Sequence, residues 1–285
     1  MPVSIAALLR SVAQQLADAG VPDPLVDAEL LLGHVAGLGR GAVQAAAVRG
    51  DELAEEDADR LRALVERRAA REPLQHLTGT APFRHLELAV GPGVFVPRPE
   101  TEQVAQFAID ALMNAPDAEP IGVDLGTGSG AIALAMATEV PHARIFAAEL
   151  SADAHAWAAR NTEAAANLTL VHADLAEAFR ELDGRVAVVI SNPPYVPDDA
   201  IPRDPEVRLF DPSTALYGGP DGLDVVRVLS RRALALLRPG GLLVIEHGEL
   251  QGAEVRALLT ADGWRAAATH PDLTHRDRAT TALRP

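Results

Sequence analysis

The sequence predicts an α/β protein built on a mostly parallel sheet and preceded by a smaller helical domain. Three observations lead there. Beyond Arg98, short apolar runs with strand character alternate with longer stretches of helical periodicity, the pattern that lays parallel strands beneath helices on both faces. Residues 1–73 carry helical spacing only. Between the two, residues 74–97 read as extended segments that link the domains as a β-hairpin.

Taken in order, Ile5, Leu8, Leu9, Val12 and Leu16 recur at helical spacing after Ser4, a candidate N-cap, and Gly20 supplies the stop. A second helix is predicted over about 25–35, where Leu30, Leu31 and Leu32 are apolar, ending before Gly37. A third carries Leu53, Leu61, Leu64 and Val65 and is terminated by Glu72-Pro73. Its acidic start (Asp51, Glu52, Glu55, Glu56) suits the positive end of a helix dipole and reads as a solvated surface rather than a site. In the linker, residues 86–90 alternate, Gly91-Pro92-Gly93 turns, and Val94-Phe95-Val96 returns. Strands then follow at 121–125, 144–149, 168–172, 185–191 and 241–246, with helices at 100–113, 129–139, 151–165, 222–237 and 250–262. The domains expected are 1–73, helical; 74–97, hairpin linker; and 98–285, α/β.

Composition narrows the function classes. With 285 residues, 48% hydrophobic and 23% charged, the chain has ample material for a core. No apolar run approaches the ~20 residues of a membrane span, and the N-terminus lacks the basic region and cleavage site of a signal peptide. Cysteine is absent, which removes thiolate chemistry and Cys-type zinc sites and fits a cytoplasmic protein. The net charge is −15, and all 25 basic residues are arginine. An acidic balance weighs against a protein that grips duplex DNA by its phosphates. The nine histidines show no helical ligand spacing, so no metal is expected. His172 and His247 read as strand-end residues, and Trp157 and Trp264 as core or near-core residues.

Two segments carry chemistry. Ile121-Gly122-Val123-Asp124-Leu125 is followed by Gly126-Thr127-Gly128-Ser129-Gly130 and then by an apolar helix. A strand, a glycine loop and a helix start in succession let a ligand approach the backbone closely. Glu149 ends the next strand, where an acidic residue binds ribose hydroxyls in nucleoside-binding folds. These residues do not choose between a dinucleotide and S-adenosylmethionine, since both offer a ribose diol and an adenine. Asp174 ends the third strand, either to accept the adenine amino group with Leu175 packed on the ring or to cap the following turn. No hydride-transfer constellation follows. Instead the fourth strand ends in Asn192-Pro193-Pro194-Tyr195. The Asn192 side chain offers a carbonyl acceptor. The prolines hold φ fixed and have no N–H, so the Pro193 carbonyl stands on stiff backbone beside the Tyr195 ring. Two acceptors beneath an aromatic face suit a planar amino group and favour methyl transfer to nitrogen.

A glycine loop with Asn-Pro-Pro-Tyr resembles the class I, seven-stranded S-adenosylmethionine-dependent methyltransferases, Rossmann-like enzymes acting on planar amino groups. Within them, Phe95-Val96-Pro97-Arg98-Pro99-Glu100-Thr101-Glu102 is similar to the segment entering the catalytic domain of the HemK/PrmC family of glutamine-N5 methyltransferases of peptide chain release factors. The likeness spans nearly the whole chain. It includes Pro73-Leu74-Gln75-His76, Asp211-Pro212, Gly218-Gly219, Asp221-Gly222, Glu246-His247-Gly248, Gln251 and Arg276-Asp277-Arg278. The resemblance implies S-adenosylmethionine as cofactor, held by Asp124, Gly126, Thr127, Gly128, Ser129, Gly130, Glu149, Asp174, Leu175 and Asn192. It implies a catalytic set of Asn192, Pro193 and Tyr195, with Pro194 completing the substrate clamp, and a class I release factor as protein partner. No nucleic-acid or membrane partner is implied. Arg98 reads equally as a cofactor- or substrate-positioning residue or as a partner of Glu100 or Glu102. Two positions depart from the family pattern: Glu149 stands where aspartate is usual, and His275 where glycine is frequent. The remaining alternatives are a ribosomal-protein glutamine methyltransferase, a nucleic-acid amino methyltransferase, and a cofactor-binding module without catalysis.

Overall fold

The computed structural model describes residues 3–285. The chain divides into two compact units, one running to Thr80 and including Arg203–Phe210, the other comprising Ala81–Pro202 and Asp211–Pro285. No helix among the described residues is long and apolar enough to cross a membrane.

Among the described residues the first unit holds six helices, Ile5–Asp18, Pro24–Ala36, Arg40–Arg49, Glu55–Ala69, Leu74–Thr78 and the short Pro205–Phe210. The apolar faces of the first five meet in one core around Leu9, Leu16, Leu31, Leu32, Leu61 and Val65. Pro24 opens the second helix and Gly37, at φ 65°, closes it, as Pro at a helix start and Gly beyond its end are expected to do. Three expectations are corrected. Ser4 does stand at the N-cap of the first helix, but its side chain makes no cap bond, and with Val3 it forms a short strand antiparallel to Glu52–Leu53. Leu53 is therefore a strand residue, and the acidic helix start is Glu55, Glu56 and Asp57. The Arg40–Arg49 helix escaped sequence reading because only Val43 and Ala46 along it are buried, too few to draw an apolar stripe. Arg68 is buried between two carboxylates, Asp27 at 2.7 Å and Glu206 at 2.9 Å, and Arg71 reaches the same Glu206 at 2.7 Å. These pairs tie the short Pro205–Phe210 helix to the helical unit.

The second unit is a seven-stranded sheet: β1 Ile121–Leu125, β2 Arg144–Glu149, β3 Leu168–His172, β4 Val186–Ser191, β5 Leu237–Glu246, β6 Arg265–Pro271 and β7 Asp277–Leu283. Its order is β3-β2-β1-β4-β5-β7-β6. The first five strands are mutually parallel where they pair, and β7 runs antiparallel to both β5 and β6. The alternation along β4 sends Val188 and Ile190 to one core, with Ile109, Leu112 and Met136, and Val189 to the other, with Val226, Leu229 and Leu236. The sequence placed the five parallel strands within a few residues. It did not place β6 and β7, whose Ala- and Thr-rich runs carry few large apolar residues.

The linker hairpin differs from its expected register. The paired strands are Thr80–Phe83 and Leu86–Ala89, turned at Arg84-His85 with Arg84 at φ 54°. Residues 94–96 do not form a strand; Val94 and Val96 are fully buried in the core. Gly91 is explained by proximity rather than by a hairpin turn, since a Cβ there would stand 2.6 Å from the Trp157 ring. Trp157 Nε1 donates to the Pro92 carbonyl at 3.2 Å across the same contact.

Candidate active site

Parallel register sets the site. Asp124 of β1 pairs with Ile190 of β4 and with Ala147 of β2, so the loops leaving the three strands emerge side by side at their carboxyl ends, where open α/β sheets bind ligands. Ser191 Oγ donates to the Leu125 carbonyl at 2.5 Å and fastens the end of β4 to β1.

The glycine loop is built by its own residues. Gly126 and Gly128 lie at φ 75° and 58°, in the left-handed region, and a Cβ on either would meet no protein atom within 4 Å. The space over the loop is thus open to a ligand, with the backbone exposed to it. Thr127 Oγ1 donates to Asp124 Oδ2 at 2.5 Å, and Gly126 N and Thr127 N both donate to the Ala148 carbonyl. Asn161 Nδ2 donates to the Ser129 carbonyl at 2.9 Å, and Gly130, at φ 84°, opens the following helix. Asp124 is fully buried and its Oδ1 has no hydrogen-bond partner among the described residues. Burial pushes its carboxyl up to about 7 against the opposing Thr127 hydrogen bond.

Glu149, at the end of β2, accepts from Gly128 N through Oε2 and from Ser151 N through Oε1, both at 2.8 Å. Its extra methylene lets it brace the loop, and each oxygen keeps a second lone pair for a ligand hydroxyl. Asp174, beyond β3, is exposed and accepts from Ala176 N through Oδ1 at 2.9 Å, the turn-capping arrangement, while Leu175 packs partly on the core. A buried carboxyl with one unpartnered oxygen, a glycine cradle and a carboxylate with free lone pairs together fit a cationic nucleoside. S-adenosylmethionine, with its ammonium, sulfonium and ribose diol, is such a molecule.

The tetrapeptide is held by residues distant in sequence. Asn192 Nδ2 donates to Thr101 Oγ1 at 3.4 Å, from the helix Pro99–Met113. Glu246, at the end of β5, lies one step past the Ser191–Ile245 pair, and Asn192 and Thr101 both offer it hydrogen bonds. Gln251 bridges three backbone groups: its Nε2 donates to the Tyr195 and Asp221 carbonyls at 2.9 and 3.2 Å, and its Oε1 accepts from Gly248 N at 2.9 Å. Gly222, at φ 74°, passes so close that a Cβ would lie 2.2 Å from the Tyr195 carbonyl; at Gly218 it would lie 2.5 Å from that of Pro194. The Tyr195 phenol is kept neutral by burial, with Glu246 nearby pushing the same way. Sequence reading quoted Thr101, Glu246, Gln251, Gly218 and Gly222 only as family motifs. Their shared purpose, bracing Asn192 to Tyr195, becomes visible in space.

Arg98 pairs with neither Glu100 nor Glu102. It binds Asp211 at 2.6 Å and lies 4.7 Å over the Phe95 ring, because Asp211 is buried and needs a cation. His247 is buried, its Nε2 within 2.9 Å of Thr280 Oγ1, and His172 is exposed at its strand end. Trp264 is a core residue and Trp157 packs at a core edge. No group of three or more His, Cys, Asp or Glu able to hold a metal occurs among the described residues.

Comparison with known proteins matches residues 7–79 to the PrmC N-terminal domain and residues 85–215 to the methyltransferase small domain. A release factor glutamine methyltransferase of Streptomyces coelicolor is 51% identical over 96% of this chain and 97% of its own. One from Bifidobacterium longum is 44% identical over 95% and 96%. The structure of a release factor-specific protein-(glutamine-N5) methyltransferase from Alicyclobacillus acidocaldarius is 29% identical, with a TM-score of 0.43 over 68% of this chain and 98% of that one.

Proposed function

The chain belongs to the release factor glutamine methyltransferases, and we propose that it methylates N5 of the glutamine in the Gly-Gly-Gln motif of class I peptide chain release factors, in the cytoplasm. The observation that carries this reading is the orientation of Asn192. Its amide nitrogen faces Thr101 and Glu246, which leaves its carbonyl oxygen as the acceptor for a substrate N–H.

S-adenosylmethionine, when bound, supplies a methyl group already activated on a sulfonium. Asp124 would pair with its ammonium group and Glu149 would accept from the ribose diol. Thr127, Ser129 and the three loop glycines would shape the cradle, and Asp174 with Leu175 would border the adenine. A carboxamide nitrogen is a poor nucleophile because its lone pair is delocalised, so the work of this chain is positioning and charge stabilisation. The Asn192 oxygen and the Pro193 carbonyl accept the two N–H groups of the substrate amide. Polarised by those acceptors, the nitrogen is held in line and its developing positive charge is stabilised. Pro194 stiffens the backbone, and the Tyr195 ring covers the amide plane and attracts the cationic methyl. No general base is needed, since the methylated amide nitrogen is strongly acidic and releases its proton to water. The helical unit, residues 1–73 with its attached Pro205–Phe210 segment, would select the release factor.

The test is incubation with S-adenosylmethionine and purified release factor, ribosomal proteins or DNA, followed by peptide mapping. The expected result is a single methyl on the glutamine of the Gly-Gly-Gln peptide. Label confined to a ribosomal-protein glutamine or to DNA overturns the substrate assignment.

A further inference from the structure

We propose that Glu246 is a positioning residue that sets which way the Asn192 carboxamide faces, and so decides whether its oxygen is available to the substrate. The inference rests on the methyl-acceptor reading of Asn192. Glu246 is 1% exposed and closes β5 beside Asn192, with Thr101 Oγ1 as the third member of the cluster. Oε2 of Glu246 is buried without a hydrogen-bond partner among the described residues. Among the described residues no arginine forms an ion pair with the carboxyl; Arg278, on the adjoining strand β7, is bound to Asp272 instead. A carboxyl retained for stability would be fully hydrogen-bonded or ion-paired. This one is neither, and its hydrogen-bonding neighbours are the acceptor asparagine and the threonine that asparagine touches.

The two ends of a carboxamide are nearly identical in shape, so packing alone does not orient Asn192. Hydrogen-bonding polarity does. An ionised carboxylate only accepts, which obliges the Asn192 NH₂ to face Glu246 and Thr101 and turns Oδ1 toward the acceptor side. A protonated Glu246 gains a donor that binds Oδ1 and withdraws it from the substrate. Burial, with the Glu100 carboxylate adding to it, holds Glu246 up at about 7 against Thr101, Arg278 and Asn192. The competent orientation is therefore favoured as pH rises through neutrality. The charged and titratable groups around this corner are Glu100 on the helix Pro99–Met113, Arg278 on β7, and Arg98 and Tyr195 on the loops. Asp124 titrates in the same range, and the Glu246→Gln variant separates the two.

The experiment follows the ¹⁵N side-chain amide resonances of Asn192 in the full-length protein across pH 5.5 to 8.5, identified by their loss in Asn192→Asp. In the wild type they should shift with a midpoint of about 7, and in Glu246→Gln the shift should vanish. In the methylation assay Glu246→Gln should lose about 10- to 100-fold in kcat, without the alkaline rise, while its affinity for S-adenosylmethionine and its melting temperature stay near wild type. A pH-independent Asn192 amide in the wild type, or wild-type kcat with an unchanged pH profile in Glu246→Gln, overturns the proposal. The resonance titration needs no substrate. If the wild type fails on Gly-Gly-Gln peptides, the functional reading falls while the orientation of Asn192 is still decided.

Discussion

The donor-side loop and the acceptor-side tetrapeptide leave neighbouring strands at the same sheet edge, yet they are stabilised in opposite ways. The loop after β1 is largely self-sufficient. Thr127 binds Asp124, Gly130 N binds the Thr127 carbonyl, and Glu149 braces Gly128 from the adjacent strand. The tetrapeptide after β4 depends on others. Pro193 and Pro194 have no N–H with which to form a turn of their own. Thr101, Glu246, Gln251 and the glycines at 218 and 222 hold it from four separate segments. Glycine makes a flexible surface shaped by nearby bonds, whereas proline makes a stiff presenter whose direction is set from outside. Each side also ends in a buried carboxyl with one unpartnered oxygen, Asp124 for the donor and Glu246 for the acceptor.

The comparison breaks most sharply at Asn192. Asn192→Ala should lower kcat by about 10²–10³-fold, the scale of losing one preorganised electrostatic group, while calorimetric affinity for S-adenosylmethionine stays close to wild type. If donor affinity fell as far as turnover, the two sides would not be separable. Asp124→Asn should do the reverse, weakening donor affinity by about 10- to 100-fold, as expected for losing a hydrogen bond to a charged group, with turnover at saturating donor largely kept. In the wild type the Asp124 carboxyl, held up at about 7, must ionise to receive a cation. Donor affinity should therefore tighten as pH rises through that value and flatten in the variant. Stability carries the opposite sign. A carboxyl whose folded-state pKa is raised contributes stability at low pH that is lost as pH climbs from the ordinary aspartate range through about 7. At pH 8, Asp124→Asn should therefore be more stable to unfolding than wild type, by on the order of 1–3 kcal/mol, and melt at a higher temperature.

Gln251→Ala tests the claim that the acceptor side is braced from outside. It strands the Tyr195 carbonyl and Gly248 N–H, so it should lower kcat by about 10-fold through misplacement and stability by about 1–2 kcal/mol, with donor affinity unchanged. Equal losses in donor affinity would show that the brace serves both sides. The smallest effect is expected at His275, which lies at φ 63° in the turn between β6 and β7, where Asp272 collects hydrogen bonds from Thr274 and Arg276. Relief of left-handed strain should let His275→Gly raise stability by up to about 1 kcal/mol in thermal melts, without change in turnover. The left-handed backbone is also the physical reason glycine suits this position.

Much of this molecule is legible in its sequence because it is written locally. The parallel strands announce themselves as apolar runs bounded by turn residues, and Gly126, Gly128 and Gly130 mark a backbone that must reach positive φ. Asn192-Pro193-Pro194-Tyr195 declares stiff acceptors beside an aromatic ring, and these segments needed no partner to be read. The remainder depends on atoms brought together from afar. Gly91 answers to the Trp157 ring packed against it rather than to a hairpin turn, and Arg98 chose Asp211 over its sequence neighbours because that carboxylate is buried. β7 formed from a weakly apolar run on the edge of β5, and β6 in turn on β7. Sequence alone determined the chemical groups and the strand ends that present them. Tertiary structure decided their orientation, because an amide side chain is aimed by the partners brought beside it, and Asn192 is set against Thr101 and Glu246 from distant parts of the chain.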